Sequence, residues 1–218
     1  LQNLPVLFAL DRAGLVGADG PTHHGSFDIS YLRCLPGMHI MTPSSGVELR
    51  RLLNTGLSLN APAAIRYPRG SSSDIPDRND FTTLPVGRAE VVREGHEIAL
   101  LAFGPLLKQA KEAGQRLGAT VVNMRWVKPL DFNLLKELAG THRLLVTIED
   151  HVIQGGAGSA VVEALQAMGL NTSVLQLGHP DRWIEHGEQS ELLSSLGLDV
   201  EGILQAIHDR KGQIGVAA

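Results

Sequence analysis

The second half of this chain carries a rhythm that leaves few folds open. Apolar runs at 97–103, 120–127, 144–148 and 173–177 alternate with stretches whose apolar residues recur at helical spacing. Leu106, Ala110, Ala113 and Leu117 share one helix face, and Asp131 can cap a short helix carrying Phe132, Leu135 and Leu138. Val161, Ala164, Leu165 and Met168 mark another helix. Leu192, Leu193 and Leu196, then Val200, Ile203, Leu204 and Ile207, mark the last two. Strands and helices in such alternation specify a mostly parallel, three-layer α/β domain. The first half holds shorter runs at 4–10, 38–41 and 63–67. Ser45 and Glu48 have the spacing of a capping box for a helix between the second and third. The segment 70–87, rich in Ser, Asp and Pro without apolar period, is the linker between the halves.

Chemistry-bearing residues concentrate in 10–33, LDRAGLVGADGPTHHGSFDISYLR, which follows the first apolar run, expected to be a buried strand. Glycines at 14, 17, 20 and 25 free the backbone for tight turns and close approach to a ligand. In open α/β sheets, ligands lie where loops leave the carboxyl ends of strands. Arg12 and Arg69 both follow strand ends, and arginine suits forked recognition of phosphate or carboxylate. Spacing alone leaves surface ion pairs as an equal explanation. Asp19 and His23 flank the turn Gly20-Pro21-Thr22, and a histidine beside a carboxylate can move protons near neutral pH. Loop-stabilising hydrogen bonds are the plainer alternative.

Composition narrows the partners. A net charge of −4 over 218 residues offers no broad positive field for nucleic acid or an anionic membrane surface. No apolar run is long enough to span a bilayer as a helix. One cysteine, Cys34, excludes an internal disulfide and fits a reducing cytoplasm, where it is expected to be a small buried residue. No H-E-x-x-H or paired-cysteine spacing supports a metal site. The run Gly155-Gly156-Ala157-Gly158 lacks the remaining glycine and acid of a dinucleotide fingerprint, so it is expected to be a helix start packed tightly on a strand.

LPVLFALDRAGLVGADGPTHHGSFDISYLRCLPGMHIMTPS, AIRYPRG, MRWVKPLD, VTIEDHVIQGGAGSAV and LQLGHPDRWIEHG together resemble the 1-deoxy-D-xylulose-5-phosphate synthases, thiamine-diphosphate enzymes of the transketolase group. The D-G-P-T-H turn is shared across that superfamily, whereas the DRAG and YPRG stretches are more specific. The resemblance implies that residues 1–70 are the end of a pyrimidine-binding domain, 71–87 a linker, and 88–218 a transketolase C-terminal domain. It implies condensation of pyruvate with D-glyceraldehyde 3-phosphate and loss of carbon dioxide, a step feeding isoprenoid, thiamine and pyridoxal biosynthesis. Arg12 and Arg69 match positions that hold the acceptor's phosphate. Asp19 and His23 match a polar pair that contacts the reacting oxygens. Thiamine diphosphate and Mg2+ would be anchored mainly outside this chain, by an N-terminal portion of the same enzyme, and a homodimer is implied. The chain is therefore expected to be a C-terminal fragment that needs that portion for activity. Rival readings are the β component of a 2-oxo-acid dehydrogenase, a transketolase proper, or a non-catalytic dimerisation module.

Overall fold

The computed structural model describes residues 2–72 and 74–214 as two packed sheets with helices. The first sheet comprises β1 (Leu7–Leu10), β2 (His39–Met41), β3 (Ala63–Arg66) and a later strand from the second half. Between β1 and β2 lie a 3-10 turn (Gly17–Asp19) and the short helix α1 (Asp28–Arg33). Helix α2 (Gly46–Ser58) leads back to β3. The second sheet begins with β4 (Glu90–Arg93) and β5 (Glu97–Phe103), followed by α3 (Leu107–Leu117) and β6 (Thr120–Asn123). After β7 (Trp126–Lys128) come α4 (Phe132–Thr141), β8 (His142–Val152), α5 (Ala157–Ala167), β9 (Ser173–His179), α6 (Gln189–Ser195) and α7 (Val200–Ile214).

In the second sheet the order is β4-β6-β5-β8-β9, parallel except for β4. Successive β5 residues take opposite sides, as the pleat requires. Ile98, Leu100 and Ala102 pack with Ala110 and Ala113 of α3 and with Ile203 and Ile207 of α7. Ala99, Leu101 and Phe103 pack with Leu135 and Leu138 of α4 and with Val161 and Leu165 of α5. That is the three-layer arrangement the alternating pattern called for. No helix of the described residues is long and apolar enough to cross a membrane.

The first sheet runs β1-β3-β2-β7. Met41, Ala63, Ile65 and Trp126 pack with Leu52 of α2 on one face. Ile40 and Ala64 join Ile29 in the core shared with α4 and α5 on the other, so the two sheets meet across one apolar interior. Each fully buried leucine or isoleucine in it contributes about 1.5–3 kcal/mol.

Three expectations change here. The run 120–127 is not one strand: β6 ends at Asn123, Arg125 adopts φ 59°, and β7 departs to pair antiparallel with β2 of the other sheet. Left-handed backbone at a non-glycine residue breaks a strand locally, which hydrophobicity alone does not reveal. The first strand is an edge rather than buried, with Phe8 47% exposed, because it pairs only with β3 among the described residues. Cys34 is exposed, since α1 ends at Arg33 and the cysteine lies beyond it, its thiol donating to the Tyr31 carbonyl at 3.2 Å.

Segment 70–87 has no regular structure among its described residues, yet it is fastened along α2. The Asp74 carboxylate accepts from the Gly46 and Val47 amides (2.9 and 3.0 Å) at the helix start. The Ser72 hydroxyl and these amides hold it well below the usual carboxylate range. Further along, Arg50 and Asn54 both donate to the Asp80 carbonyl at 3.0 Å, and Thr55 accepts from the Leu84 amide at 2.8 Å. Ser45 caps α2 as expected, accepting from the Glu48 amide at 3.2 Å. The Glu48 side chain reaches back one residue further, to the Ser44 amide at 2.7 Å, and also binds Asn123 and Arg125 (2.8 and 2.6 Å).

Candidate functional site: a loop at the carboxyl ends of the first sheet

β1 and β3 are parallel, and their pairing continues past both strand ends: Tyr67 donates to the Leu10 carbonyl at 3.0 Å and Ala13 to that of Tyr67 at 2.9 Å. The segments carrying Arg12 and Arg69 therefore leave the same sheet edge side by side. Arg12 adopts φ 62°, uncommon for a side chain other than glycine. Its amide donates to Asp11 Oδ1 at 2.7 Å and its guanidinium lies 3.3 Å from Asp11 Oδ2, with both side chains about half exposed. Backbone held in such sparse conformations clusters at functional sites.

Arg69 donates to Asp19 Oδ2, so residues fifty positions apart form an ion pair across the loop. His23 behaves differently from expectation. Its Nδ1 pairs with Thr22 Oγ1 at 3.0 Å, and among the described residues it makes no bond to Asp19. The Arg69 guanidinium, a charged and forked donor, holds Asp19 instead. His24, half buried, accepts from the Val16 amide at 3.1 Å and so is part of the loop's frame. Beside the loop lies a shallow pocket lined in part by Pro21, Phe27 and Trp183, the two aromatic rings meeting edge to face at 5.4 Å.

Beneath the loop is a buried polar layer that the sequence reading did not use. Arg66, 4% exposed, donates to Asp28 Oδ2 (2.7 Å), the Gly25 carbonyl (2.8 Å) and the Asp150 carbonyl (3.2 Å). Asp150 accepts from His179 Nε2 at 2.7 Å and from the Leu15 amide at 3.2 and 3.3 Å. His179 Nδ1 lies 3.0 Å from Ser26 Oγ. These three have the residue types of a nucleophilic relay, but Ser26 is 4% exposed and contacts Nδ1 rather than Nε2. The group is a tether. A signal was available: Arg66 interrupts an apolar strand, and Glu149, Asp150 and His151 close another, where charges need partners.

The glycine turn after β8 is indeed a helix start on a strand, and its anion slot is filled from within. Glu149 accepts from the Ala157 and Gly158 amides at 2.6 and 2.8 Å. Burial nevertheless pushes its carboxyl up to about 7, against those two amides. His151 is neutral by geometry: Nε2 accepts from the Ile29 amide at 3.1 Å and Nδ1 donates to the Val152 carbonyl at 2.8 Å. Its approaches of 3.7 Å to Asp28 and 3.8 Å to Glu149 are therefore not ion pairs. Burial, with Arg66 adding, lowers its imidazole to about 4.

The two groups oppose each other in pH. Glu149, raised in the folded state, contributes stability below its ordinary 4.5 that is lost as pH rises towards about 7. His151, lowered, contributes stability above its ordinary 6.5 that is lost as pH falls towards about 4. Removing the falling limb with Glu149→Gln is expected to leave stability rising more steeply between pH 4.5 and 6.5 than in the parent. Urea midpoints at those two pH values measure this, and parallel profiles would refute it.

Residues 87–203, more than half of the chain, match the family described as the transketolase C-terminal domain, and residues 1–73 match the transketolase pyrimidine-binding domain. The chain belongs to the transketolase family. Among curated transketolase-family relatives, a Nitrosospira multiformis protein named 1-deoxy-D-xylulose-5-phosphate synthase is 56% identical over 210 residues, 96% of this chain and 34% of that protein. One of the same name from Stutzerimonas stutzeri is 55% identical over 217 residues, 100% of this chain and 34% of its own length. The chain thus spans about a third of the relatives it matches. In three dimensions it is similar to a split-gene transketolase described as an inactive beta4 tetramer, with TM-score 0.80 and 29% identity over 94% of this chain and 65% of that one. A transketolase from Campylobacter jejuni shares the fold at TM-score 0.68 and 19% identity, over 93% of this chain and 31% of that one.

Proposed function

We propose that this chain is the C-terminal part of a 1-deoxy-D-xylulose-5-phosphate synthase, a cytoplasmic homodimer, and that it supplies the acceptor side of the active site. The observation that carries this is the placement of Arg12, Arg69, Asp19 and His23 on segments leaving one end of the β1–β3 pair, in a chain whose curated relatives above 50% identity carry that name. The boundaries 1–70, 71–87 and 88–218 belong to the same proposal.

Thiamine diphosphate, when bound, supplies the electron sink that lets pyruvate lose carbon dioxide. No group of three His, Cys, Asp or Glu side chains among the described residues could hold a metal ion. These residues do not fit a Mg2+ anchor, which in this reading belongs to the N-terminal portion of the enzyme together with the diphosphate. The share of this chain is to bind and orient D-glyceraldehyde 3-phosphate. Arg12 and Arg69 take the phosphate, a dianion that displaces Asp19 from Arg69 by its greater charge. Fixing that end presents the aldehyde in one orientation, which converts binding into rate. His23 Nε2, without a hydrogen-bond partner among the described residues, donates a proton as the aldehyde oxygen gains negative charge. Asp19, once released, accepts from an acceptor hydroxyl.

The test is carbon dioxide release from pyruvate by the full-length enzyme with thiamine diphosphate and Mg2+. Release is expected to depend on D-glyceraldehyde 3-phosphate. Release that ignores the aldehyde, or passes the acyl group to a lipoyl carrier, would remove the synthase reading.

A further inference from the structure

Leu15 sits in the middle of the DRAGLVGADG stretch and is fully buried. Both backbone hydrogen-bonding groups of this residue, its N–H and its C=O, are held by side chains from the second half of the molecule. Its amide donates to the Asp150 carboxylate at the end of β8, and its carbonyl accepts from Gln189 Nε2, the first residue of α6, at 2.7 Å. The Gly187 amide donates to the Gly17 carbonyl at 3.3 Å, at the start of the 3-10 turn that ends in Asp19. Gly14, at φ 75°, leaves no room for a side chain, since a Cβ there would lie 1.8 Å from Asp150 Oδ2. Asp150 is itself fixed by His179, which is 1% exposed and lies beside Ser26 on the far side of the loop.

We propose that Asp150 and Gln189 are positioning residues of the acceptor site, and that the strap 179–189 makes the C-terminal unit a working part of that site rather than a scaffold for it. The inference rests on the proposed synthase function for its substrate, though its geometry does not. Asp150 and Gln189 act through the backbone of Leu15. They hold the two peptide units that flank Leu15, and that backbone lies between Arg12 and Asp19, the latter paired with Arg69. Freeing it allows the stretch 14–20 to sample other conformations, so the phosphate meets its arginines less often in the binding geometry. A ligand whose competent state is only partly populated binds more weakly by that fraction. The cost falls on the acceptor alone, and it disappears at saturation.

Gln189 is the residue to change, because it lies half buried at a helix start where a substitution leaves the core intact. In the full-length enzyme, Gln189→Met keeps the side-chain length and removes the donor. Loss of one neutral hydrogen bond corresponds to about a fivefold weakening, and KM for D-glyceraldehyde 3-phosphate is expected to rise by about that factor. KM for pyruvate and kcat should stay as in the parent. Hydrogen–deuterium exchange, read without substrate, should quicken in residues 14–20 and stay as in the parent in the strands of the second sheet. An equal rise in both KM values, or unchanged exchange at 14–20, overturns the proposal. If the parent enzyme shows no dependence on the phosphorylated aldehyde, the synthase reading has failed separately. The exchange measurement then still decides: faster exchange at 14–20 supports the tether and unchanged exchange removes it.

Discussion

Arg69→Ala in the full-length enzyme is expected to raise KM for D-glyceraldehyde 3-phosphate by one to two orders of magnitude while leaving KM for pyruvate within about twofold. The scale comes from hydrogen bonds to charged groups, worth about 1.5–3 kcal/mol, or roughly ten- to a hundredfold in binding. The half-exposed side chain argues for the lower part of that range. A second effect pushes the other way. With Arg69 gone, the Asp19 carboxylate stands unpaired at the same edge and repels the incoming phosphate. Arg69→Lys should recover only part of the loss, since an ammonium restores the charge but not the planar fork. Steady-state kinetics with each substrate varied in turn decide the matter, and equal changes in both KM values would sink the phosphate assignment.

The largest effect on folding is expected at Arg66. Its guanidinium is the common partner of Asp28, the Gly25 carbonyl and the Asp150 carbonyl, all in a layer closed to water. Arg66→Met leaves the buried Asp28 carboxylate uncompensated, which costs about 3–5 kcal/mol when one partner of a buried pair is removed. The double variant Arg66→Met, Asp28→Asn should be markedly more stable than Arg66→Met alone, because the stranded charge is then absent. Urea unfolding of the three variants beside the parent measures this. A double variant no more stable than the single one would mean that packing, not charge, explains Arg66.

The alternation of apolar runs was enough to specify the four parallel strands of the second sheet because these are covered on both faces, so hydrophobicity and secondary structure coincide. It failed where local backbone decided. Arg125 turns the chain out of one sheet and into the other within a mostly apolar run, and nothing in MRWV announces a left-handed residue. Strand β4 was missed because two of its four residues are exposed and its sequence, EVVR, is half charged. At the site, Arg12, Arg69, Asp19 and His23 were legible as residue types on strand-following segments. Their partners were not, since Asp19 pairs with Arg69 fifty residues away rather than with the nearby His23. Gln189 has no sequence signal for the same reason: a residue that acts by holding another residue's backbone leaves no pattern near itself.

Strand β7 gives the two halves a shared inheritance. It is coded after β4, β5 and β6 of the second sheet, yet it lies as a strand of the first, paired with β2 and burying Trp126 against the α2 side. A cut within 70–87, where composition invites one, would divide the covalent chain cleanly and still strip the first half of a strand. The exchangeable unit, for a protein engineer or for recombination between genes, is therefore not either half. Any graft of the loop-bearing half onto another partner must bring the WVK strand with it, or find a partner that already offers one.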